Sequence, residues 1–377
     1  MITQKDLEPI IQQYDKNNIT IGVLGSHSAL DVCRGAKDLG FNTLVVCQKG
    51  RERTYTHHYK TQGSTGIVDK TIVLENFSDI ITPAIQEQLR QENVIFIPHR
   101  SFEVYLNFDY ENIEDNFLVP MFGNRFLLKA EERNRSNNQY DLLRKANIRM
   151  PHIFTTHRDI DRLCLVKLPE KQRKFERAFF YCSSAQEFET IINQKLERNE
   201  IDQNTLDDAV IEEFIIGPLV NFNYFYSPLN KRVELLGTDT RRQTNVEGIL
   251  HLTAEKQIAL QNTISPKFEE AGHIAVTVLE SMLEHAFDLG ERFINTTQQE
   301  YKPGIIGPLA LQSAIVPGPP KKDIVVFDVS LRVQGSPGTR FTPYTGYLHG
   351  ESVSTGRRIA MEIQQAVTEN RLLEIVT

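Results

Sequence analysis

The sequence predicts an α/β region leading into an α+β region, and two patterns predict it. In the first part of the chain, short β-branched runs at 19–24, 43–46, 72–74 and 94–97 alternate with amphipathic stretches such as 29–39. That alternation marks a parallel sheet joined by crossover helices. Further on, 221–226 and 232–236 alternate their side chains as antiparallel strands do, and 309–312 and 324–333 close the region.

The first crossover helix begins near Ser28, places Leu30, Cys33 and Ala36 on one face, and stops near Gly40, a suitable C-terminal cap. Between strand and helix lies Gly25-Ser26-His27-Ser28. Backbone amides at a helix N-terminus favour an anion, so this turn is a candidate site for a ribose phosphate. The spacing Gly22-x-x-Gly25 is not the GxGxxG of a dinucleotide site. A charged helical run over 127–145 follows, then Met150-Pro151 and a strand at 164–167. After a basic loop comes a strand at 178–181, and 209–217 carries the next one. Pro317-Gly318-Pro319-Pro320 reads as a turn between strands, and 354–374 as a final amphipathic helix.

With 377 residues, 40% hydrophobic and 24% charged, the chain can bury more than one core. It has no run of about 18 uncharged apolar residues. Its first residues lack the basic start and apolar stretch of a signal peptide, so a cytoplasmic protein without a membrane partner is expected. Cys33, Cys47, Cys164 and Cys182 sit in apolar runs with no CxxC pair, which predicts buried thiols. A net charge of −7 argues against nucleic acid as a partner. An anionic small substrate would need a local cationic pocket.

The residues that suggest chemistry are spread over three strands: Lys167 at a strand end, Glu212-Glu213 before an apolar hinge, and Gln312 with Asp328-x-Ser330-x-Arg332. Phosphoryl transfer needs cations on the phosphates, oxygen ligands for magnesium and a hinge for the adenine edge. Period-2 alternation puts Asp328, Ser330 and Arg332 on one face, so carboxylate and guanidinium can enter one cleft.

Several runs resemble, in order, the landmarks of the archaeal formaminoimidazole-carboxamide ribotide synthetases, members of the ATP-grasp superfamily. They are Gly25-Ser26-His27-Ser28-Ala29-Leu30, Lys49-Gly50-Arg51, Pro98-His99-Arg100-Ser101-Phe102 and Val119-Pro120-Met121-Phe122-Gly123-Asn124-Arg125. Ile211-Glu212-Glu213, Phe225-Tyr226-Ser227-Pro228, Glu234-Leu235-Leu236-Gly237, Gly304-Ile305-Ile306-Gly307-Pro308 and Ser354-Thr355-Gly356-Arg357-Arg358-Ile359-Ala360 continue the series to the last helix. The resemblance implies an ATP-grasp fold with an N-terminal Rossmann-like pre-ATP-grasp domain over 1–125, a small ATP-grasp subdomain over 126–205 and a large one over 206–377.

The resemblance also implies roles. His27 and Ser101 would contact the ribotide AICAR, and Asn245 would read its carboxamide side. Lys167, Lys171, Arg173 and the hinge Glu212, Glu213, Phe214 and Ile215 would bind ATP. Gln312 and Asp328 would hold Mg2+, with Mn2+ as the alternative, and Arg332 and Lys167 would offset charge on the transferring group. The implied reaction ligates formate to AICAR through formyl phosphate, giving FAICAR, ADP and phosphate in IMP biosynthesis, and the implied assembly is a homo-oligomer, hexamers included. Two stretches depart from the family. The loop after Lys167, Leu168 to Arg177, has no glycine, and Val333-Gln334-Gly335-Ser336-Pro337-Gly338-Thr339-Arg340 lacks the usual asparagine. These departures keep open a related ligase with another amine and carboxylate, or a non-catalytic nucleotide binder.

Overall fold

Strands β1 (Thr20–Leu24), β2 (Asn42–Gln48), β3 (Lys70–Leu74) and β4 (Val94–Ile97) pair in the order β3-β2-β1-β4, all parallel. The computed structural model describes residues 1–167, 179–199, 201, 203, 206, 209–260, 263–264, 266–318 and 320–377. β1 and β4 are buried at every position, which is why they read as continuous apolar runs. Helix Ala29–Asp38 covers one face, and Gly40 follows it at φ 81° as a C-terminal cap.

The final helix, Thr355–Thr368, returns from the far end of the chain to lie on Ala29–Asp38. Its Ile359, Ile363 and Ala366 join Val23, Val32 and Ile97 in one core. The crossing is backbone to backbone. A Cβ on Gly35 would lie 2.2 Å from the carbonyl carbon of Gly356, and one on Gly356 would lie 2.1 Å from the oxygen of Asp31.

Two antiparallel sheets follow. Strands β5 (Ile153–Phe154), β6 (Cys164–Lys167), β7 (Phe180–Cys182) and β8 (Val210–Glu213) pair as β5-β8-β6-β7. Strands β9 (Leu219–Ser227), β10 (Arg232–Asn245), β11 (Phe268–Val276), β12 (Gly307–Val316) and β13 (Asp323–Ser330) pair as β11-β10-β9-β12-β13. Helix Leu283–Glu300 covers this larger sheet, setting Ala286, Leu289 and Phe293 on Phe222, Tyr224 and Leu309.

Two helical expectations are corrected. The run 127–145 is broken into a 3-10 turn, Arg125–Glu131, and a helix, Gln139–Lys145. Asn138 accepts from the backbone of Tyr140 and Asp141, and Asp141 accepts from Asn138, a reciprocal cap that starts a new helix. The last helix ends at Thr368, and only a short turn, Leu372–Glu374, follows. All four cysteines are buried and unpaired. No described helix is long and apolar enough to cross a membrane.

The chain end is tied to the first lobe by Arg125, which is fully buried. Its guanidinium donates to the carbonyls of Ile113 (3.1 Å), Phe117 (2.7 Å), Val119 (3.1 Å) and Thr377. A parallel bridge between His99 and Val333 joins that lobe to the exit of β13. At so close a crossing, Gly35→Ala must force the helices apart. The variant is expected to lose about 1–3 kcal/mol of unfolding free energy in urea titration, the usual cost of overpacking, and an unchanged midpoint would contradict it.

Candidate active site

Two large clefts lie between the three sheets among the described residues. One, of about 770 Å³, lies between the N-terminal lobe and the larger sheet. The other, of about 1210 Å³, lies between the smaller and larger antiparallel sheets. Arg133, Arg241, Gln312 and Asp328 line both, so the clefts share a wall.

The wider cleft is walled by aromatic and aliphatic side chains, among them Leu165, Tyr181, Phe214, Ile215 and Phe327. Lys167 ends β6 and is buried, with its Nζ 2.5 Å from Glu212 Oε1 and donating to the carbonyl of Phe327 at 3.2 Å. Tyr140 donates to the second oxygen of Glu212 at 3.0 Å. Burial pushes the Lys167 pKa down, opposed by the charge of Glu212. Glu212, Glu213, Phe214 and Ile215 all line this cleft. The carboxylate of Glu213 nevertheless accepts from the backbone of His152 and lies 3.6 Å from Arg162. Lys171 and Arg173 lie outside the described residues.

On the shared wall, Gln312 and Asp328 are register partners across β12 and β13. The Gln312 amide donates to Ser330 Oγ at 3.2 Å, and Asp328 pairs with Arg133 at 2.7 Å. Asp328, Ser330 and Arg332 do enter one cleft, although Arg332 lies beyond the end of β13.

In the smaller cleft Arg332 is held by Glu103 (3.2 Å) and Glu131 (3.1 Å). Arg100 reaches Glu103 (3.1 Å), Glu131 (3.3 Å) and Glu132 (3.4 Å). Glu103 is fully buried, and this together with the neighbouring Glu131 raises its pKa to about 7. His27 turns into the cleft at φ 47°. Ser28 donates its hydroxyl proton to the carbonyl of Gln334 (2.6 Å), so the 3.0 Å contact from His27 Nδ1 to Ser28 Oγ requires the proton on Nδ1. Burial, His99 and Arg332 hold the His27 pKa down at about 2. His27 therefore presents a neutral ring with a lone pair on Nε2. His99, stacked on it at 5.5 Å, accepts the Ser101 amide (3.2 Å) and donates to the carbonyl of Leu24 (2.9 Å). Ser101 Oγ donates to Ser26 Oγ at 3.0 Å beside the helix start. Asn245 sits apart from these groups, at the outer end of β10, where its Oδ1 accepts the Lys267 amide at 2.9 Å.

Four residues not singled out in the sequence complete the wall. His273 is gripped by Asp239 (2.5 Å) and Glu270 (2.8 Å), and Glu270 lies 3.3 Å from Arg241. Burial alone would lower the His273 pKa, but hydrogen bonds to Asp239 and Glu270 outweigh it and raise it to about 9. This histidine is a cation at neutral pH.

A Rossmann-like lobe joined to two antiparallel sheets that enclose a cleft with a lysine and a glutamate on its strands is the architecture of the ATP-grasp proteins. Models of a protein family of unknown function (DUF1246) and a domain of unknown function (DUF1297) match residues 21–154 and 187–377. The chain is 38% identical over 379 residues to the 5-formaminoimidazole-4-carboxamide-1-(beta)-D-ribofuranosyl 5'-monophosphate synthetase of Methanosphaera stadtmanae, covering 100% of this chain and 99% of that one. It is 37% identical to the protein of the same name from Methanothermobacter thermautotrophicus, with 100% and 99% covered. The crystal structure of the IMP biosynthesis protein PurP from Thermococcus kodakaraensis is similar at a TM-score of 0.70 and 27% identity, over 95% of this chain and 100% of that one. An ADP complex of N5-carboxyaminoimidazole ribonucleotide synthetase shares the fold alone, with a TM-score of 0.55, 11% identity, and 85% and 72% covered. The chain belongs to the 5-formaminoimidazole-4-carboxamide ribotide synthetase family.

The raised pKa of His273 has a sign. Stability from the imidazolium is complete below its ordinary value of 6.5 and is lost as pH rises through about 9. Unfolding free energy measured across that window is expected to fall more steeply for the wild type than for His273→Gln; parallel curves would show that the pair of carboxylates does not hold a charged ring.

Proposed function

We propose that the chain ligates formate to the amine of AICAR with ATP, giving FAICAR, ADP and phosphate through formyl phosphate. The observation that carries this reading is the shared wall. A nucleotide in the wider cleft and a ribotide in the smaller one would meet at Arg133, Arg241, Gln312 and Asp328. Full-length relatives with this activity in their name support it.

Formate alone is a poor acyl donor because hydroxide must leave. Attack of a formate oxygen on the terminal phosphorus of ATP releases ADP and forms formyl phosphate. Attack of the AICAR amine on the formyl carbon then expels phosphate. The apolar walls and the Glu212–Ile215 hinge suit an adenine, and Lys167 suits its phosphates. Lys167 and Arg332 would be the catalytic cations of this reading. Arg332 is already paired to two carboxylates, so it directs a ligand more than it adds net charge. The helix start with Ser26 and Ser101 suits the ribotide phosphate. Neutral His27 suits a donor such as a carboxamide or amine N–H, a group that an imidazolium would repel. Asn245, displaced from that neighbourhood, would reach the ribotide only if β10 and its neighbours closed over the cleft.

Gln312 and Asp328 offer hard oxygen donors from facing strands. Among the described residues no group of three or more His, Cys, Asp or Glu is arranged as a metal cage. Such a sparse donor set fits Mg2+, which takes its remaining ligands from phosphates and water. When bound, the ion would neutralise charge on the phosphates.

The test gives purified protein AICAR, formate, ATP and magnesium, omitting each in turn, and follows FAICAR and ADP. Product requiring all four is expected. Asp328→Ala should lower turnover by about 10²-fold or more, the usual effect of removing a charge-stabilising group. ADP release only with another amine and carboxylate would mark a different ligase, and no ADP release with any pair would mark a non-catalytic binder.

A further inference from the structure

β10 carries Asp239, Arg241 and Gln243 on one face. Asp239 and Arg241 line the smaller cleft, while Arg241 and Gln243 line the wider one. Arg241 thus stands where the two meet. Across the strand pair, His273 lies opposite Arg241.

Glu270 is three residues from His273, and strict alternation would point the two to opposite faces of β11. The register shifts between Arg242 and Gln243, so that Gly272 faces Arg242 while Glu270 faces Gln243 and Ala271 is left over. Gly272 takes φ 152°, where side chains are strained. This bulge turns Glu270 onto the face of His273 and next to Arg241. At the other end, Asp239 is fixed by the amides of Asn221 (2.8 Å) and Asn223 (2.6 Å). An unbroken polar chain therefore runs from buried β9 through Asp239, His273 and Glu270 to one guanidinium.

Of the four shared residues, Gln312 and Asp328 bring oxygens, and Arg133 is committed to Asp328. Arg241 differs. Its Nε is buried without a well-aligned hydrogen bond among the described residues, although Glu270 sits 3.3 Å away. A mostly buried guanidinium aimed by one carboxylate, with a buried Nε that has no well-aligned acceptor, suits an anion.

Resting on the ATP-dependent reading above, we propose that Arg241 is a further catalytic residue that contacts the terminal phosphate of the nucleotide where the clefts meet. His273 is its positioning residue, acting through Glu270. The charged and titratable groups around His273 are Asp239 and Arg241 on β10, Glu270 on β11, and His27 from the N-terminal lobe. The turn Pro337–Phe341 also packs on β11, but its Arg340 acts on Asp31.

The experiment is calorimetric titration of the full chain with magnesium and either ADP or the β,γ-imido analogue of ATP. Arg241→Met is expected to weaken the analogue at least about 10-fold, as loss of a charged hydrogen bond does, while ADP changes less than about 2-fold. His273→Gln should show a smaller loss in the same direction. As pH rises through about 9 the wild type should lose its preference for the analogue, whereas His273→Gln should stay flat. If Arg241→Met does not fold, Arg241→Lys, which keeps the charge but not the fork, should lose several-fold on the analogue alone. Equal weakening of both nucleotides, or of neither, overturns the proposal even in a protein that makes FAICAR. Wild type that binds neither nucleotide would overturn the ATP-dependent reading with it, and wild type that binds both without making FAICAR still tests Arg241 by the same comparison.

Discussion

Arg332 holds the two halves of the molecule in register. It leaves the end of β13 and enters a pocket of carboxylates supplied by Glu103, on the N-terminal lobe, and Glu131, on the connecting turn. All three side chains are nearly or fully buried, so the pair cannot be broken by halves: removing one partner of a buried ion pair typically costs about 3–5 kcal/mol. The same segment caps the open edge of the larger sheet. Glu131 accepts the Leu331 amide (2.6 Å), Gln139 accepts the Val329 amide (2.8 Å), and the carbonyl of Arg149 accepts the Val326 amide (2.9 Å). An edge strand whose outward amides are satisfied in this way cannot slip or recruit another strand. Asp328 and Ser330 lie between those anchors, and the wall shared by the clefts inherits their rigidity.

The electrostatics of the site follow a single rule, that each cation is aimed by a carboxylate. Lys167 has Glu212, Arg133 has Asp328, Arg332 has Glu103 and Glu131, and His273 has Asp239 and Glu270. Dipoles fixed before the ligand arrives need not reorganise when charge moves, which is the main source of electrostatic catalysis. The three histidines show how partners decide charge. His99 bonds only backbone and has a pKa lowered by burial to about 4, His27 is lowered further by burial and by the neighbouring His99 and Arg332, and His273 is raised between two acids. The smaller cleft is therefore lined by one neutral ring, His27, and one cation, His273, which lets it accept an N–H at one point and an anion at another.

Much of this was legible in the sequence, because it rests on local periodicity. Alternating β-branched runs placed the parallel sheet, and period 2 placed Asp328 and Ser330 on the face that meets the cleft. The break in 127–145 was also written locally, in Ser136-Asn137-Asn138 and the reciprocal cap to Asp141, but the charged periodicity around it reads as one helix. What could not be read is cross-strand register. Glu270 and His273 share a face only because of the extra residue Ala271, and no spacing rule reveals a bulge in a strand whose partner is unknown. Arg332 and Glu103 are separated by 229 residues, so nothing in either neighbourhood announces the other. Asn245 shows another limit: the resemblance implies a role on the ribotide for it, and where the end of β10 lies relative to His27 is a matter of tertiary structure that no local pattern carries.

With none of its four thiols activated, the protein is read as doing its chemistry by position. Burial pushes the thiols of Cys47 and Cys182 up to about 12 and that of Cys164 to about 11, and raises Cys33 as well, so none supplies a thiolate. In the proposed reaction the activated species, formyl phosphate, is then not tethered to the protein and would hydrolyse if it had to travel through water. The shared wall removes the journey. The face of Gln312, Asp328, Arg133 and Arg241 that borders the wider cleft also borders the smaller one, so a group activated on the proposed nucleotide side would be within reach of the amine on the other. The bulge on β11 and the ion pairs of Arg332 serve the same end from opposite sides: the first fixes the Arg241 guanidinium at the boundary and the second fixes that of Arg332 within the smaller cleft, where a displacement of about 1 Å would cost about 10²-fold in rate.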